Sequence, residues 1–181
     1  LFFPKHCPVC LEALPPGDSL ICEPCRKKIR YVREPACLKC GRMIQDEKKE
    51  YCRNCEKRFP MYERGVVWAE YASPEIRRML SRVKYHEDPQ LLDFPCLDFA
   101  LKKKEFAYGT SAECLIPVPV HKERLRVRGY NQAEEIAKRL AKVWEIPVDG
   151  HYLVRYKKTE PQKSLNSFDR ILNLQQVFCI D

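Results

Sequence analysis

The segments Cys7-Pro-Val-Cys10, Cys22-Glu-Pro-Cys25, Cys37-Leu-Lys-Cys40 and Cys52-Arg-Asn-Cys55 decide how this chain is read, and they begin every 15 residues. Two cysteines at i and i+3 on a tight turn present both thiolates to one tetrahedral ion, and two such turns complete a four-sulfur zinc site. A disulfide framework would need an oxidising compartment, and nothing in the sequence signals export. A thioredoxin-like redox pair needs one such motif in a βαβ setting, not four in tandem. Zinc is the expected occupant, two ions for eight cysteines. A reducing, cytoplasmic setting goes with that reading.

Residues 7–25 and 37–55 run parallel: a knuckle, an 11-residue hairpin and a second knuckle, in a unit of about 30 residues. If each unit closes on its own ion, the ligand sets are Cys7, Cys10, Cys22, Cys25 and Cys37, Cys40, Cys52, Cys55. A cross-brace, in which the first pair shares an ion with the third, satisfies the same count, and the spacing leaves both pairings open. Pro15, Pro16, Gly17 and Asp18 suit a hairpin turn. Arg26 to Val32 reads as a short helix or linker between ribbons. Residues 1–60 are thus expected to form a double zinc ribbon, with a second domain over 61–181.

The chain has 181 residues, 33 basic against 25 acidic, 45% hydrophobic and 32% charged. That composition supports a packed core and argues against general disorder. The longest apolar run, residues 114–120, is far short of the roughly 18 needed for a membrane span. The N-terminus has no basic segment followed by a long apolar stretch, so it is not read as a secretory signal. It also lacks an initiator Met, and residues before Leu1 are expected. Eight thiolates and two divalent ions would reduce the formal charge of +8 to about +4. Nucleic-acid binding must therefore be argued from local clusters. Cys96, Cys114 and Cys179 have apolar neighbours (Leu97, Leu115, Phe178) and are expected to be buried structural thiols.

Beyond residue 60, the alternation in residues 66–72 predicts a strand. Ser73-Pro74 opens a helix with Ile76, Met79, Leu80 and Val83 inward and Arg77, Arg78 and Arg82 on the wet side. A second helix starts at Asp88-Pro89 and carries Leu92, Cys96, Phe99 and Ala100, with a kink expected at Pro95. Residues 115–120 read as a short buried strand. A helix from Asn131 to about Trp144 follows, with Asn131 as N-cap, Glu134 in a capping box and Pro147 closing it. Strand, basic loop, helix and strand in that order make an α/β unit.

The basic loop, residues 121–130, lies where an α/β sheet places its ligand, beyond a strand's carboxyl end and before a helix N-terminus. It offers Lys122, Arg124, Arg126 and Arg128, and Gly129 allows close backbone approach. Phosphate binding is the direct inference, and a solvated charged loop is the alternative. Arg26, Lys27, Lys28, Arg30 and Tyr31, and again Arg155, Tyr156, Lys157 and Lys158, interleave cations with aromatics, as sequence-tolerant single-stranded DNA binding requires. The wet face of a connecting helix is the bland reading of the first cluster. No acid–base pair stands out. His121 and His86 qualify by chemistry alone and are more simply surface or loop residues.

Three blocks then align in order. Tyr71, Ile76, Leu80, Lys84 and Tyr85 form the first. Ile116-Pro-Val-Pro119 with Arg124, Arg128, Gly129, Tyr130, Asn131 and Gln132 form the second. Leu153, Arg155, Thr159, Gln162, Leu165, Arg170 and Asn173, running into Val177-Phe178, form the third. With the cysteine ribbons, they resemble the ComF family of late competence proteins. The resemblance implies a double zinc ribbon followed by a phosphoribosyltransferase-like, Rossmann-like domain with a parallel sheet. It implies a ligand site at Lys122, Arg124, Arg128, Gly129, Asn131 and Gln132 with Thr159, Gln162, Arg170 and Asn173. It also implies a role in natural transformation, with single-stranded DNA and the competence helicase or other DNA-processing proteins as associates.

The same resemblance places a phosphoribosyl pyrophosphate signature, two adjacent acidic residues and a Thr-Thr-Gly turn, shortly after the strand at Val177 to Ile180. The sequence ends at Asp181, so the chain is read as C-terminally truncated and its second domain as incomplete. Catalysis by these residues alone is not expected. Three function classes follow: a competence-associated protein binding zinc, a phosphoribosyl or phosphate ligand and single-stranded DNA; a phosphoribosyltransferase active in full-length form with phosphoribosyl pyrophosphate and magnesium; and a zinc-ribbon adaptor with a vestigial pocket.

Overall fold

The structure, a computed structural model, describes residues 4–17, 19–58, 60–85, 88–160 and 162–181. Two compact units meet in sequence between Arg82 and Val83. In the first unit the 30-residue repeat of the sequence is written out in backbone hydrogen bonds. Cys7 N–H donates to Glu12 O (2.9 Å), Leu11 to Cys7 (2.9 Å) and Leu14 to Lys5 (2.8 Å). In the second copy Cys37 donates to Arg42 (2.8 Å), Gly41 to Cys37 (2.8 Å) and Ile44 to Pro35 (2.9 Å). Isolated antiparallel bridges His6–Ala13 and Ala36–Met43 correspond likewise. Helices α1 (Glu23–Arg26) and α2 (Arg53–Arg58) follow Cys22 and Cys52 directly, the N–H groups of Arg26 and Glu56 each reaching that cysteine's carbonyl at 3.0 Å.

The first knuckle of each ribbon carries a left-handed residue after its second cysteine. It is Leu11 in the first copy (φ 65°) and Gly41 in the second (φ 69°). A Cβ at Gly41 would stand 2.6 Å from the Gly65 carbonyl oxygen, because Gly65 N–H is clasped to Lys39 O at 2.6 Å. Only glycine fits there. Leu11 tolerates the conformation at a cost of about 1 kcal/mol.

The segment Arg26 to Val32 is not a helix. α1 ends at Arg26 and the chain extends, with Tyr31 bridging Ala69 antiparallel, Val32 N–H on Trp68 O (3.3 Å) and Glu70 N–H on Arg30 O (2.8 Å). That pairing is also all that becomes of the strand expected over 66–72. The Gly65 clasp diverts the chain just before it, and one short partner supports a bridge, not a ladder. Residues 61–82 are thus grouped with the ribbons in the first compact unit.

Helix α3 (Pro74–Tyr85) starts as expected, the buried Ser73 lending its carbonyl to Arg77 N–H (3.1 Å), and buries Ile76, Met79 and Val83. Arg82 departs from expectation. Instead of facing water, its guanidinium donates to the Val9 carbonyl in the first ribbon.

The second unit is built on α4 (Asp93–Lys102), α5 (Lys104–Gly109) and α7 (Gln132–Trp144), which bury Leu91, Leu92, Cys96, Ala100, Leu140, Trp144 and Ile146 together. Trp144 Nε1 donates to Ala100 O at 2.9 Å, so the largest core side chain leaves no orphan donor. Pro95 does not kink α4. A 3₁₀ turn, Pro89–Leu92, comes first, capped by Asp88 Oδ1 accepting from Gln90 N–H (3.0 Å), so Pro95 is the third residue of α4, where no N–H has an intrahelical partner. Asn131 caps α7 as expected, but Glu134 closes no capping box, because its carboxylate pairs with Lys138 at 2.7 Å.

No parallel sheet forms among the described residues. Its one trace is a parallel bridge, Leu115–Val148, with Leu115 N–H on Pro147 O (2.8 Å) and Asp149 N–H on Leu115 O (3.0 Å). Side and backbone groups alternate along a strand, so Pro117 and Pro119 face the same way as Leu115 and lack the donor needed to continue. On the partner side Asp149 Oδ1 accepts from His151 and Tyr152 N–H, both 2.9 Å, and turns the chain away. What sheet exists is antiparallel: β1 (Leu153–Arg155) against β2 (Phe178–Ile180), the latter within the expected strand at Val177 to Ile180. Strand, helix α7 and parallel return still make a minimal βαβ turn. Helix α8 (Ser167–Asn173) lies between β1 and β2 in sequence, with Asn166 capping it.

Cys96 is buried as expected, and burial pushes its thiol up to about 12. Cys114 and Cys179 are exposed instead, Cys179 because it pairs with Val154 on the outward face of the hairpin. Two substitutions test the repeat. Gly41→Ala should lower the thermal midpoint by the equivalent of about 1–3 kcal/mol through the clash with Gly65, whereas Leu11→Gly should leave it unchanged or raise it by relieving the αL strain.

Candidate metal centres and anion pocket

The four sulfurs of Cys7, Cys10, Cys22 and Cys25 lie within 4.8 Å of one another, and so do those of Cys37, Cys40, Cys52 and Cys55. The ribbons therefore close sequentially, and the cross-brace is excluded. Sγ–Sγ separations of 3.5 Å (Cys7–Cys22) and 3.7 Å (Cys10–Cys22, Cys40–Cys52) are too long for disulfides. They match the edge of about 3.8 Å that a tetrahedron with Zn–S bonds of about 2.3 Å requires.

The local fold prepares these sulfurs for a cation. Burial opposes ionisation of Cys7, but N–H groups of Cys10, Cys22 and Val9 aimed at its sulfur outweigh burial and lower the thiol to about 7. N–H groups of Cys40, Cys52 and Lys39 lower Cys37 to about 6 against the same burial. Cys25 is pushed up, and Cys55 up to about 12, by burial first and then by neighbouring sulfurs. Each tetrad thus ionises at its first cysteine and resists at its last until a divalent ion absorbs the repulsion. With four sulfurs present no position is left open for substrate, so the metal would be structural.

In the second unit, residues 121–130 are not a loop. Helix α6 (Lys122–Arg128) occupies most of them, with His121 Nδ1 accepting from Glu123 N–H (3.4 Å) and Gly129 closing it at φ 76°. A Lys-Glu-Arg-Leu-Arg run of good helix formers with an αL glycine behind it explains the difference. His121 is buried, not a surface residue, while His86 and the turn residue Asp18 lie outside the described residues.

Most motif residues have protein partners. Asn131 Oδ1 accepts from Ala133 N–H (3.1 Å) and its Nδ2 donates to Val118 O (3.2 Å). Gln132 Nε2 donates to Val83 O (3.0 Å), the Tyr130 hydroxyl donates to the same carbonyl, and Arg128 Nη1 donates to Gln132 Oε1 (3.0 Å). Asn173 holds both backbone groups of Glu160, at 3.2 and 3.0 Å, and Arg170 Nε donates to Gln162 O (2.9 Å). These residues fix the frame of the site. Lys122 is exposed at the start of α6, and Gln162 Nε2 is buried with no hydrogen-bond partner among the described residues.

Arg124, Arg155, Lys158 and Thr159 instead meet. With His121, Glu123 and Val127 they line a pocket of about 270 Å³. Arg155 donates to Thr159 Oγ1 and lies over the Phe178 ring (5.7 Å), while Lys158 pairs with Glu123 at 2.5 Å. Burial first, then repulsion from Arg124, lowers the pKa of Arg155. Tyr156 and Lys157 are exposed beside it. In the ribbon unit Lys27, Lys28, Arg30 and Tyr31 line a groove of about 650 Å³ with Arg33, Met43, Glu70 and Glu75, while Arg26 stands exposed at the end of α1. Lys27 is 3.5 Å from Glu23, and Tyr31 packs edge-on against Trp68 (6.1 Å, 72°). Sequence reasoning missed Glu123, Val127, Arg33 and Met43. Of these, only Arg33 carried a signal, being the cation next to the Arg26 cluster.

Residues 1–56 match the family model described as a double zinc ribbon domain. Competence protein F of Haemophilus influenzae is 29% identical over 183 residues, spanning 99% of this chain and 78% of that protein. Competence protein ComFC of Bacillus subtilis is 27% identical over 160 residues, 84% of this chain and 65% of that protein. DNA utilization protein YhgH of Escherichia coli O157:H7 is 23% identical over 184 residues, all of this chain and 80% of that protein. No solved structure matches the chain significantly. Among the described residues no helix is long and apolar enough to cross a membrane. The double ribbon is thus borne out by both the family match and the two cysteine tetrads.

Metal analysis of protein purified without added zinc should return about two ions per chain. Acidification should release them, since the ligand thiols must lose their protons to bind metal and regain them as pH falls. Cys37→Ser should leave one ion and unfold the second ribbon, whose buried cluster consists of Cys37, Cys52 and Cys55 themselves. Amide exchange should show the first ribbon, with Val9, Leu14 and Ile21 buried, still protected.

Proposed function

We propose that this chain is a competence-associated member of the ComF family that handles single-stranded DNA during natural transformation and binds a phosphoribosyl or phosphate ligand in its second unit. The observation that carries this reading is the pocket of Arg124, Arg155 and Thr159. Among the described residues neither guanidinium has a carboxylate partner, while the one acid on the pocket wall, Glu123, is occupied by Lys158. Guanidinium groups without a carboxylate partner, that of Arg155 partly desolvated and that of Arg124 exposed, recognise phosphate by charge-assisted hydrogen bonds.

Similarity to two competence proteins and a DNA utilization protein supports the DNA-handling role. The minimal βαβ turn around α7 is consistent with a phosphoribosyltransferase-like unit. The two ribbons hold two zinc ions. The setting is cytoplasmic, where thiols stay reduced, and the associates are the competence helicase or other DNA-processing proteins. In the full-length protein the ligand would be phosphoribosyl pyrophosphate with magnesium.

Fluorescence anisotropy with a labelled oligothymidylate tests the DNA reading. Affinity should fall steeply as salt rises, each phosphate contact of a single strand adding about 0.7 unit to the log–log slope. The Lys27→Ala, Lys28→Ala, Arg30→Ala triple variant should bind more weakly with a shallower slope while retaining both zinc ions. Binding that is absent at low salt, or indifferent to salt, would put a zinc-ribbon adaptor in place of this reading.

A further inference from the structure

The residues that suggest a small phosphate ligand and those that suggest a DNA strand adjoin at Lys158-Thr159, and the fold brings the distant Arg124 to the same cavity. Arg124 and Thr159 come from the first set, Arg155 and Lys158 from the second, and all four line the pocket of about 270 Å³. β1 ends at Arg155, which bonds Thr159 and packs on Phe178 of β2. α6 supplies Arg124 from one turn beyond the buried His121. His121 Nδ1 accepts from Glu123 N–H, and the His121 ring lines the same wall.

We propose that the phosphodiester backbone of single-stranded DNA and a phosphate-bearing small molecule compete for this one pocket, so that each displaces the other. The inference rests on the reading under Proposed function. Three features carry it. The volume lies just under the range of ordinary small-molecule sites, so it holds one phosphate-bearing group at a time. The two guanidiniums are the only cations on the wall without a carboxylate partner among the described residues, Lys158 being bound to Glu123. Both ligands offer the same chemistry to them, an oxyanion, and differ only in what is attached. Either ligand therefore draws on Arg124 and Arg155, and the oligonucleotide in addition on the Lys27, Lys28 and Arg30 cluster.

The probe is inorganic pyrophosphate, titrated into the complex of the 181-residue chain with labelled oligothymidylate at constant ionic strength held with potassium chloride. Displacement is expected, with the apparent Kd for the oligonucleotide rising in proportion to pyrophosphate concentration. Arg124→Gln should weaken both ligands by about tenfold, the loss of one charge-assisted contact. Arg124 is exposed, so an unchanged circular dichroism spectrum and melting midpoint should accompany that loss. Arg155→Gln gives a second variant with the same expected pattern, whereas the Lys27, Lys28 and Arg30 triple alanine variant should weaken the oligonucleotide alone. If pyrophosphate and oligonucleotide bind together with unaltered affinities, or if Arg124→Gln weakens only one of them, the shared pocket is wrong while the proposed function stands. If neither binds, both fall.

Discussion

Four thiolates held within 4.8 Å of one another repel strongly, and no arrangement of the surrounding backbone can neutralise all four. A divalent cation can. The hydrogen bonds that repeat at 30-residue intervals exist to place these sulfurs, and the second ribbon buries little besides its own cysteines. Structural zinc supplies folding free energy on the order of 10 kcal/mol, comparable to the whole stability of a small domain. Gly41, the clasp at Gly65 and the pairing of Tyr31 with Ala69 all presuppose ribbons already closed.

The second unit depends on the carbonyl of Val83 and the side chain of Asn131 in a comparable way. Val83 O receives Tyr130 and Gln132, while Asn131 joins the start of α7 to Val118. These contacts fix α7 against residues 116–118 and leave α6 projecting with Arg124 toward Arg155. On the far side Asn173 holds the backbone of Glu160 and Arg170 that of Gln162. Most of the polar residues near the pocket thus serve its shape, and few remain to touch a ligand.

Much of this was legible in the sequence. Cysteine spacing located both metal sites, because four identical i, i+3 pairs admit few other uses, and the amphipathic period located α7 to within a residue. The 30-residue repeat pointed to sequential pairing of the tetrads, while the cysteine spacing by itself serves a sequential or a crossed arrangement. α6 was hidden by its charge: a run of cations reads as a loop until the αL glycine behind it is weighed. Among the described residues the parallel pairing stops at the one bridge, Leu115–Val148, for a reason already written in the chain, the prolines at 117 and 119, whose missing N–H groups fall on the edge that would continue it. Most elusive was the meeting of Arg124 with Arg155, because tertiary proximity between residues 31 positions apart has no local signature.

The claim on which the account rests is that both metal centres are closed, all-sulfur and structural. X-ray absorption at the zinc edge tests it most directly. The account predicts a single shell of four sulfurs at about 2.3 Å for both sites together. A nitrogen or oxygen scatterer in that shell, or fewer than four sulfurs per ion, would mean an open or mixed site and would contradict it.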